Sequence, residues 1–285
     1  MMCYGKTPYT PGSYMERALR RCGVAVDVIT NSVDFSMIDQ EYYRAVLFVE
    51  SPSMPAVTIV HREQVKVPVI QWVTHGENRL KNNRELAEIY RPDLILMSHS
   101  LHLAPHLPAP VRFYPFAADS HIFKSDIPYA KRTTDIAFAG EKTSLYSKRG
   151  SNLDYIKQAL GDRASCVFEG SVYLENLSER YGNARMVFNQ TANTIQSLNM
   201  RIFEGMSCGA LMITDEVPQQ SQLFRKNEHY IIFDSRDELL DKVNYYLDHP
   251  EEAERIAYAG YQHVLANHTY EHRAKALLDY MTELG

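Results

Sequence analysis

Cysteine is scarce and scattered. The 285 residues hold four, Cys3, Cys22, Cys166 and Cys208, none in a C-x-x-C pair. That arrangement argues against a zinc ribbon or a thioredoxin-like site and suits free thiols in a reducing compartment. Long apolar runs are missing too. No stretch approaches the roughly 18 apolar residues of a membrane span, and the opening MMCYGKTPYTPG lacks the apolar run of a signal peptide. The expectation is a soluble, cytoplasmic protein. Neither sign of charge dominates: 30 basic against 35 acidic residues leave a formal net charge of -5. Bulk nucleic-acid binding is therefore not expected, although a local basic patch is compatible with this balance. No Asp-x-Asp pair stands in a suitable loop, so no metal is expected.

What is present is alternation. Hydrophobic residues make up 45% and charged residues 23%, ordinary for a globular chain, and the length suits one large domain or two of about 130 residues. Short runs rich in Val and Ile predict strands at AVDVIT (25–30), RAVLFVE (44–50), VPVIQWV (67–73), DLILMS (93–98) and VRFYPF (111–116), after a brief first strand over about 1–4. None alternates polar with apolar, as befits strands covered on both faces. Helical spacing marks 13–22, 77–91 and 100–107. Residues 105–118 then carry four prolines, and a polar stretch follows, which puts a joint near 125. The pattern restarts with strands at 134–140, 164–170, 184–189, 210–214 and 229–234, helices at 147–160, 175–183 and 199–208, and three closing helices. Strand and helix alternating twice predicts two doubly wound, Rossmann-like α/β domains facing across a cleft. The expected domains are 1–124 and 125–266, with 267–285 crossing back.

The most informative stretch is SLNMRIFEGMSCGALMITDE (197–216). Read as a helix over 199–208, it is capped by Asn199 or Ser197 and ended by a left-handed Gly209. Ile202, Phe203 and Met206 share one face; Ser197, Arg201, Glu204 and Cys208 share another. A surface pair between Arg201 and Glu204 would contribute only about 0.2–0.5 kcal/mol. The segment before the helix, NQTANTIQSLN (189–199), offers another reading. It follows a strand directly, so Ser197, Leu198 and Asn199 would present free N–H groups at a helix N-terminus, a cradle for a pyrophosphate. A carboxylate one turn further in can accept both hydroxyls of a ribose. Tyr173 reads as a core aromatic, and His268, Tyr270 and Arg273 as fixing where the last helix crosses.

Several ordered elements carry a family resemblance: LNMRIFEGMSCGALMITDE, DIAFAGEKTSLYSKR (135–149), YPFAADSHIF (114–123) and the closing HTYEHR (268–273). Together they resemble the spore-maturation (CgeB-like) glycosyltransferases, relatives of the group 1 glycosyltransferases. That resemblance implies a GT-B fold and a transferase taking a nucleoside-diphosphate sugar as co-substrate, with no other cofactor, no metal and retention of anomeric configuration. It assigns the donor ribose to Glu204. Gln196 stands where the superfamily carries a second glutamate, a departure that bears on the sugar and the mechanism. The diphosphate falls to Lys142 and Arg149, which follow Gly140, and to Arg201. His75, ending a strand ahead of Gly76, resembles the superfamily's cleft histidine, and Gly12 lies in a stretch resembling the loop under the diphosphate or acceptor. The acceptor (glycan, protein or small molecule) and the base are not legible. A nucleotide-sugar or carbohydrate-binding protein without catalysis, or a nucleotide-sugar epimerase or hydrolase, would fit the same residues.

Overall fold

The structure, a computed structural model, describes residues 1–51, 56–195 and 197–285. The chain packs as two compact units: Met1–Pro115 with Tyr270–Gly285, and Phe116–Thr269. The division lies inside the proline-rich stretch, ahead of the polar residues near 125. Burial is the reason, because Phe116, Ala117, Ala118 and Phe123 are buried in the second unit.

In the first unit the order is β1 (Met2–Cys3), α1 (Pro11–Arg21), β2 (Val28–Ile29), β3 (Ser32–Asp34), β4 (Val46–Val49), β5 (Thr58–Val60), β6 (Val69–Val73), α2 (Leu80–Tyr90), β7 (Leu94–Met97) and β8 (Val111–Phe113). Six strands pair in parallel in the order β2-β1-β4-β6-β7-β8. Every residue of β4, β6 and β7 is buried, the two-sided covering that their unbroken apolar runs predicted. Pro11 sits in the first turn of α1, where a missing N–H is no loss. The C-terminal helix, Tyr270–Leu284, returns to this unit and packs against α1, with Tyr14 and Tyr270 ring centroids 5.3 Å apart. Two expectations change. Residues 100–107 form a 3-10 helix, Leu101–His106, because Pro105 inside it removes a donor and crowds the preceding turn. The small parallel pair β3–β5 escaped the sequence reading, since each strand is three residues long and mostly exposed or half-buried.

The second unit runs β9 (Thr134–Ala139), α3 (Ser147–Leu160), β10 (Cys166–Glu169), α4 (Leu174–Gly182), β11 (Ala184–Asn189), α5 (Met200–Ser207), β12 (Leu211–Thr214), α6 (Gln220–Leu223), β13 (Ile231–Ile232), α7 (Arg236–Asp248) and α8 (Pro250–Asn267). Five parallel strands take the order β10-β9-β11-β12-β13. Alternate residues Ile136, Phe138, Met186, Phe188, Leu211 and Ile213 enter one core with Leu153, Ile156, Leu239 and Ile256, as the period of two along a strand requires. Both units are therefore doubly wound parallel α/β layers. Each sheet has a switch point where strand order reverses, β1/β4 in the first and β9/β11 in the second. Open α/β sheets leave a ligand crevice beyond the carboxyl ends of such strands.

Candidate active site

At the carboxyl ends of β9 and β11 the backbone turns into two loops and then into α5. Asn199 holds the N-cap position, yet its side chain makes no cap hydrogen bond. Its Nδ2 instead donates to Asn189 Oδ1 at 2.9 Å, and its buried Oδ1 has no partner among the described residues. The first N–H groups of α5 are thus free of a side-chain cap, at the positive end of the helix dipole. The other end is closed. Gly209 is left-handed at φ 70°, its N–H bonds Met206 O at 2.8 Å, and Ala210 N–H bonds Gly205 O at 3.1 Å, a Schellman stop. Arg132 donates from Nη2 to Cys208 O at 2.9 Å and from Nη1 to Gly209 O at 2.8 Å, placing a cation at the negative end of the helix.

Asn189, the last residue of β11, ties the loops together. Its Nδ2 donates to Thr214 Oγ1 at 2.8 Å, while its Oδ1 also accepts from Arg201 Nη1 at 2.7 Å. Arg201 donates further to Ala139 O from Nε at 3.1 Å and from Nη2 at 2.8 Å. Gly140 makes room for it: φ is 150°, and a Cβ there would stand 2.5 Å from Arg201 Nη2. Arg149, in the first turn of α3 and only 4% exposed, donates to Gln190 O at 3.1 Å and to Glu141 O. Its buried Nε has no partner among the described residues. Both guanidinium carbons lie within 5.0 Å of the Phe138 ring centroid. Burial, with the charge of Arg201 nearby, lowers Arg149 to about 10. Neither arginine has an ion-pair partner among the described residues.

Glu204 is 5% exposed, and its carboxyl forms no hydrogen bond or ion pair among the described residues. Burial pushes it up to about 7, with Arg201 pulling the other way. The surface ion pair is therefore not what this helix makes: Arg201 turns to β9 and Asn189, and Glu204 is inside. The second face of α5 is packed, with Ser207 Oγ donating to Phe123 O at 2.6 Å and Cys208 Sγ lying 3.8 Å from Ser178 Oγ. At the end of β12, Asp215 accepts from Thr191 Oγ1 at 2.6 Å and from Thr191 N at 3.0 Å. Burial raises its pKa against these bonds.

Of the residues named from sequence, Gly140, Arg149, Ser197, Leu198, Asn199, Arg201 and Glu204 belong to this switch point and its helix. Ser197 is half-buried and Leu198 buried. Gln196 lies outside the described residues. Lys142 is exposed on the loop after β9, its Nζ 5.9 Å from the Phe168 ring centroid. Gly12 lies within α1, where a Cβ would meet the Tyr4 ring at 2.5 Å; its bareness serves that packing. His75 lies two residues past β6 in the first unit, with a side chain 41% exposed. Its Nδ1 is 3.1 Å from Thr74 Oγ1 and 3.5 Å from Glu50 Oε2, and its N–H donates to Glu50 at 2.7 Å. Tyr173 is exposed rather than a core aromatic, because it stands at the N-cap of α4, ahead of the residues that pack. Within the second unit His268 O accepts from Ala118 N at 2.9 Å; within the first, Arg273 Nε donates to Pro115 O at 2.8 Å. Asn189, Asp215 and Glu50 were missed, although each stands at or just past a strand's carboxyl end, which was signal enough.

Among the described residues no group of three or more His, Cys, Asp or Glu could hold a metal, and no helix is long and apolar enough to cross a membrane. Residues 130–279 match the family described as glycosyl transferase-like. No curated protein matches the chain in sequence. Among solved structures, Anabaena HepE in complex with UDP and glucose superposes with a TM-score of 0.65 at 11% identity over 99% of both chains. Sucrose-phosphate synthase from Thermosynechococcus elongatus gives 0.65 at 13% over 99% of this chain and 98% of its own. The DNA-modifying β-glucosyltransferase, solved with and without uridine diphosphoglucose, gives 0.61 at 14% over 100% and 99%. At such identities the likeness is one of fold.

Proposed function

Because this chain belongs to the glycosyl transferase-like family, we propose that it moves a sugar from a nucleoside diphosphate to an acceptor hydroxyl, with the donor held by the second unit. One observation carries the reading. Two guanidinium groups, Arg149 and Arg201, stand beside an uncapped helix N-terminus with no carboxylate in ion-pair range among the described residues. Arg149 is buried and Arg201 half-buried, and guanidinium groups without an ion-pair partner call for an anion; a diphosphate supplies two linked ones. Glu204, a turn into α5 and without a partner of its own, takes the ribose hydroxyls. In the reaction the bond from the anomeric carbon to the diphosphate oxygen breaks and a bond to the acceptor oxygen forms. The acceptor's proton is released and the diphosphate leaves with the charge that the arginines stabilise. No metal is needed for that stabilisation, and the resemblance to the spore-maturation branch favours retention of configuration. Uridine is the first base to try, given the UDP-bound structures that share the fold.

A thermal-shift panel of UDP, GDP, ADP, TDP and CDP tests this. A ligand at 100 times its dissociation constant stabilises by roughly 2.7 kcal/mol, so one diphosphate should stand out, and Glu204→Ala should remove its effect. A flat response to all five would refute the donor site. Binding without turnover in the presence of acceptors would make the protein a binder instead, and sugar release without acceptor would make it a hydrolase.

A further inference from the structure

Two helices begin at the switch point of the second unit, and their N-termini differ. α5 starts without a side-chain cap. α3 starts at Ser147 behind Tyr146, whose side chain makes no cap hydrogen bond either. Its cap comes from another loop. Asn193 stands four residues past the end of β11, and its Oδ1 accepts from Lys148 N, an amide in the first turn of α3, at 3.1 Å. Its Nδ2 donates to Ser147 Oγ at 2.9 Å and to Ser144 O at 3.2 Å, and its N–H donates to Leu145 O at 3.0 Å. One half-buried asparagine thus makes four bonds to residues 144–148. Lys148 N–H and Ser144 O, a donor and an acceptor, fix which way its amide is turned. The same segment is held at two further points. Gln190 O accepts from Arg149 Nη1 at 3.1 Å and Gln190 Oε1 from Asn152 Nδ2 at 3.0 Å, while Thr191 bonds Asp215.

Arg149 follows Lys148 directly, so the amide that Asn193 caps is one peptide away from it. Without that side chain, Lys148 N–H and Ser144 O lose their partners and the first turn of α3 frays, because the opening amides of a helix have no partner inside it. The Arg149 guanidinium would move with that turn. The cap also decides between two anion cradles. With Lys148 N–H engaged by an amide oxygen, the start of α3 is closed and that of α5 is left open. We propose that Asn193 is a positioning residue for the diphosphate: capping α3 from the loop after β11, it fixes Arg149 against the segment that leads into α5. The word diphosphate rests on the transferase reading; the clip between Asn193 and α3 does not.

The test is a double-mutant cycle on the full chain. UDP, or whichever diphosphate stands out in the thermal-shift panel, is titrated into wild type, Asn193→Ala, Arg149→Met and the double variant. Asn193→Ala should weaken binding about tenfold, the scale of a lost cap. In the Arg149→Met background the same change should cost less than about twofold, since a positioning residue then has nothing left to position. Equal losses in both backgrounds would make Asn193 merely structural, and no loss in either would make it irrelevant; each overturns the proposal. Hydrogen exchange of the empty protein is the second readout. Peptides covering 144–150 should exchange faster in Asn193→Ala while those from β11 keep the wild-type rate, and unchanged exchange at 144–150 refutes the clip. The two ideas fail in different samples. A wild type that binds none of the five diphosphates sinks the donor site, and with it the role of Asn193 there. A wild type that binds beside an Asn193→Ala variant that binds equally well sinks the positioning role alone.

Discussion

Glu204→Gln should make the empty protein more stable and a worse binder, and the size follows from burial. Glu204 is 5% exposed, and its carboxyl moves from an ordinary 4.5 to about 7. At about 1.4 kcal/mol for each tenfold, that gap corresponds to about 3 kcal/mol. The folded value lies above the unfolded one, so between pH 4.5 and 7 the folded state keeps a proton that the unfolded state has released. Stability falls as pH rises through that window, and the full penalty applies at pH 8. Glutamine is neutral throughout. The variant should therefore gain about 3 kcal/mol over wild type at pH 8 and nearly nothing at pH 4. Asp215, also raised by burial, titrates in both proteins and cancels from the difference. Trp72, the one tryptophan, lies in the first unit, so its fluorescence does not read this change. Hydrogen exchange of peptides from α5 and β11 does, as a difference of about two powers of ten in opening. Equal stability at pH 8, or a gain that ignores pH, would mean that the carboxyl is not buried without a partner and would refute the reasoning. The same variant should lose the nucleotide's thermal shift.

Arg149→Met and Arg201→Met should each weaken diphosphate binding by about 2–5 kcal/mol, read by calorimetric titration, while Lys142→Met, at an exposed position, changes it less. Unchanged affinity in both arginine variants would remove the phosphate site. Gly140→Ala should behave like Arg201→Met, because its Cβ would fall 2.5 Å from Arg201 Nη2 at a φ that L residues avoid; full binding by this variant would show that Arg201 does not need that space. Activity should survive EDTA, and loss restored by Mn²⁺ would contradict transfer without a metal.

Local pattern carried much of this protein. The unbroken apolar runs announced strands buried on both faces. Pro11 marked a helix start and Gly209 a helix stop, because each acts through its own φ and its own hydrogen bonds within a few residues. The helix bearing Arg201 and Glu204 was legible for the same reason. Which charges meet was not. Arg149 reaches the loops at the switch point only because β9 and β11 are neighbours in the sheet, and Asn189 gathers Thr214, Asn199 and Arg201 only because β11 also lies beside β12. Lys142, named with Arg149 for the diphosphate, is left exposed on the loop after β9, and Gly12 proves to serve Tyr4. Glu50, Gln71, Arg79 and Asn83 come from β4, β6, α2 and their flanks, and nothing in any one of those segments shows that they line one cavity. Periodicity is written along the chain, whereas strand order and register are settled by packing between distant segments, and it is packing that decided the company each charge keeps.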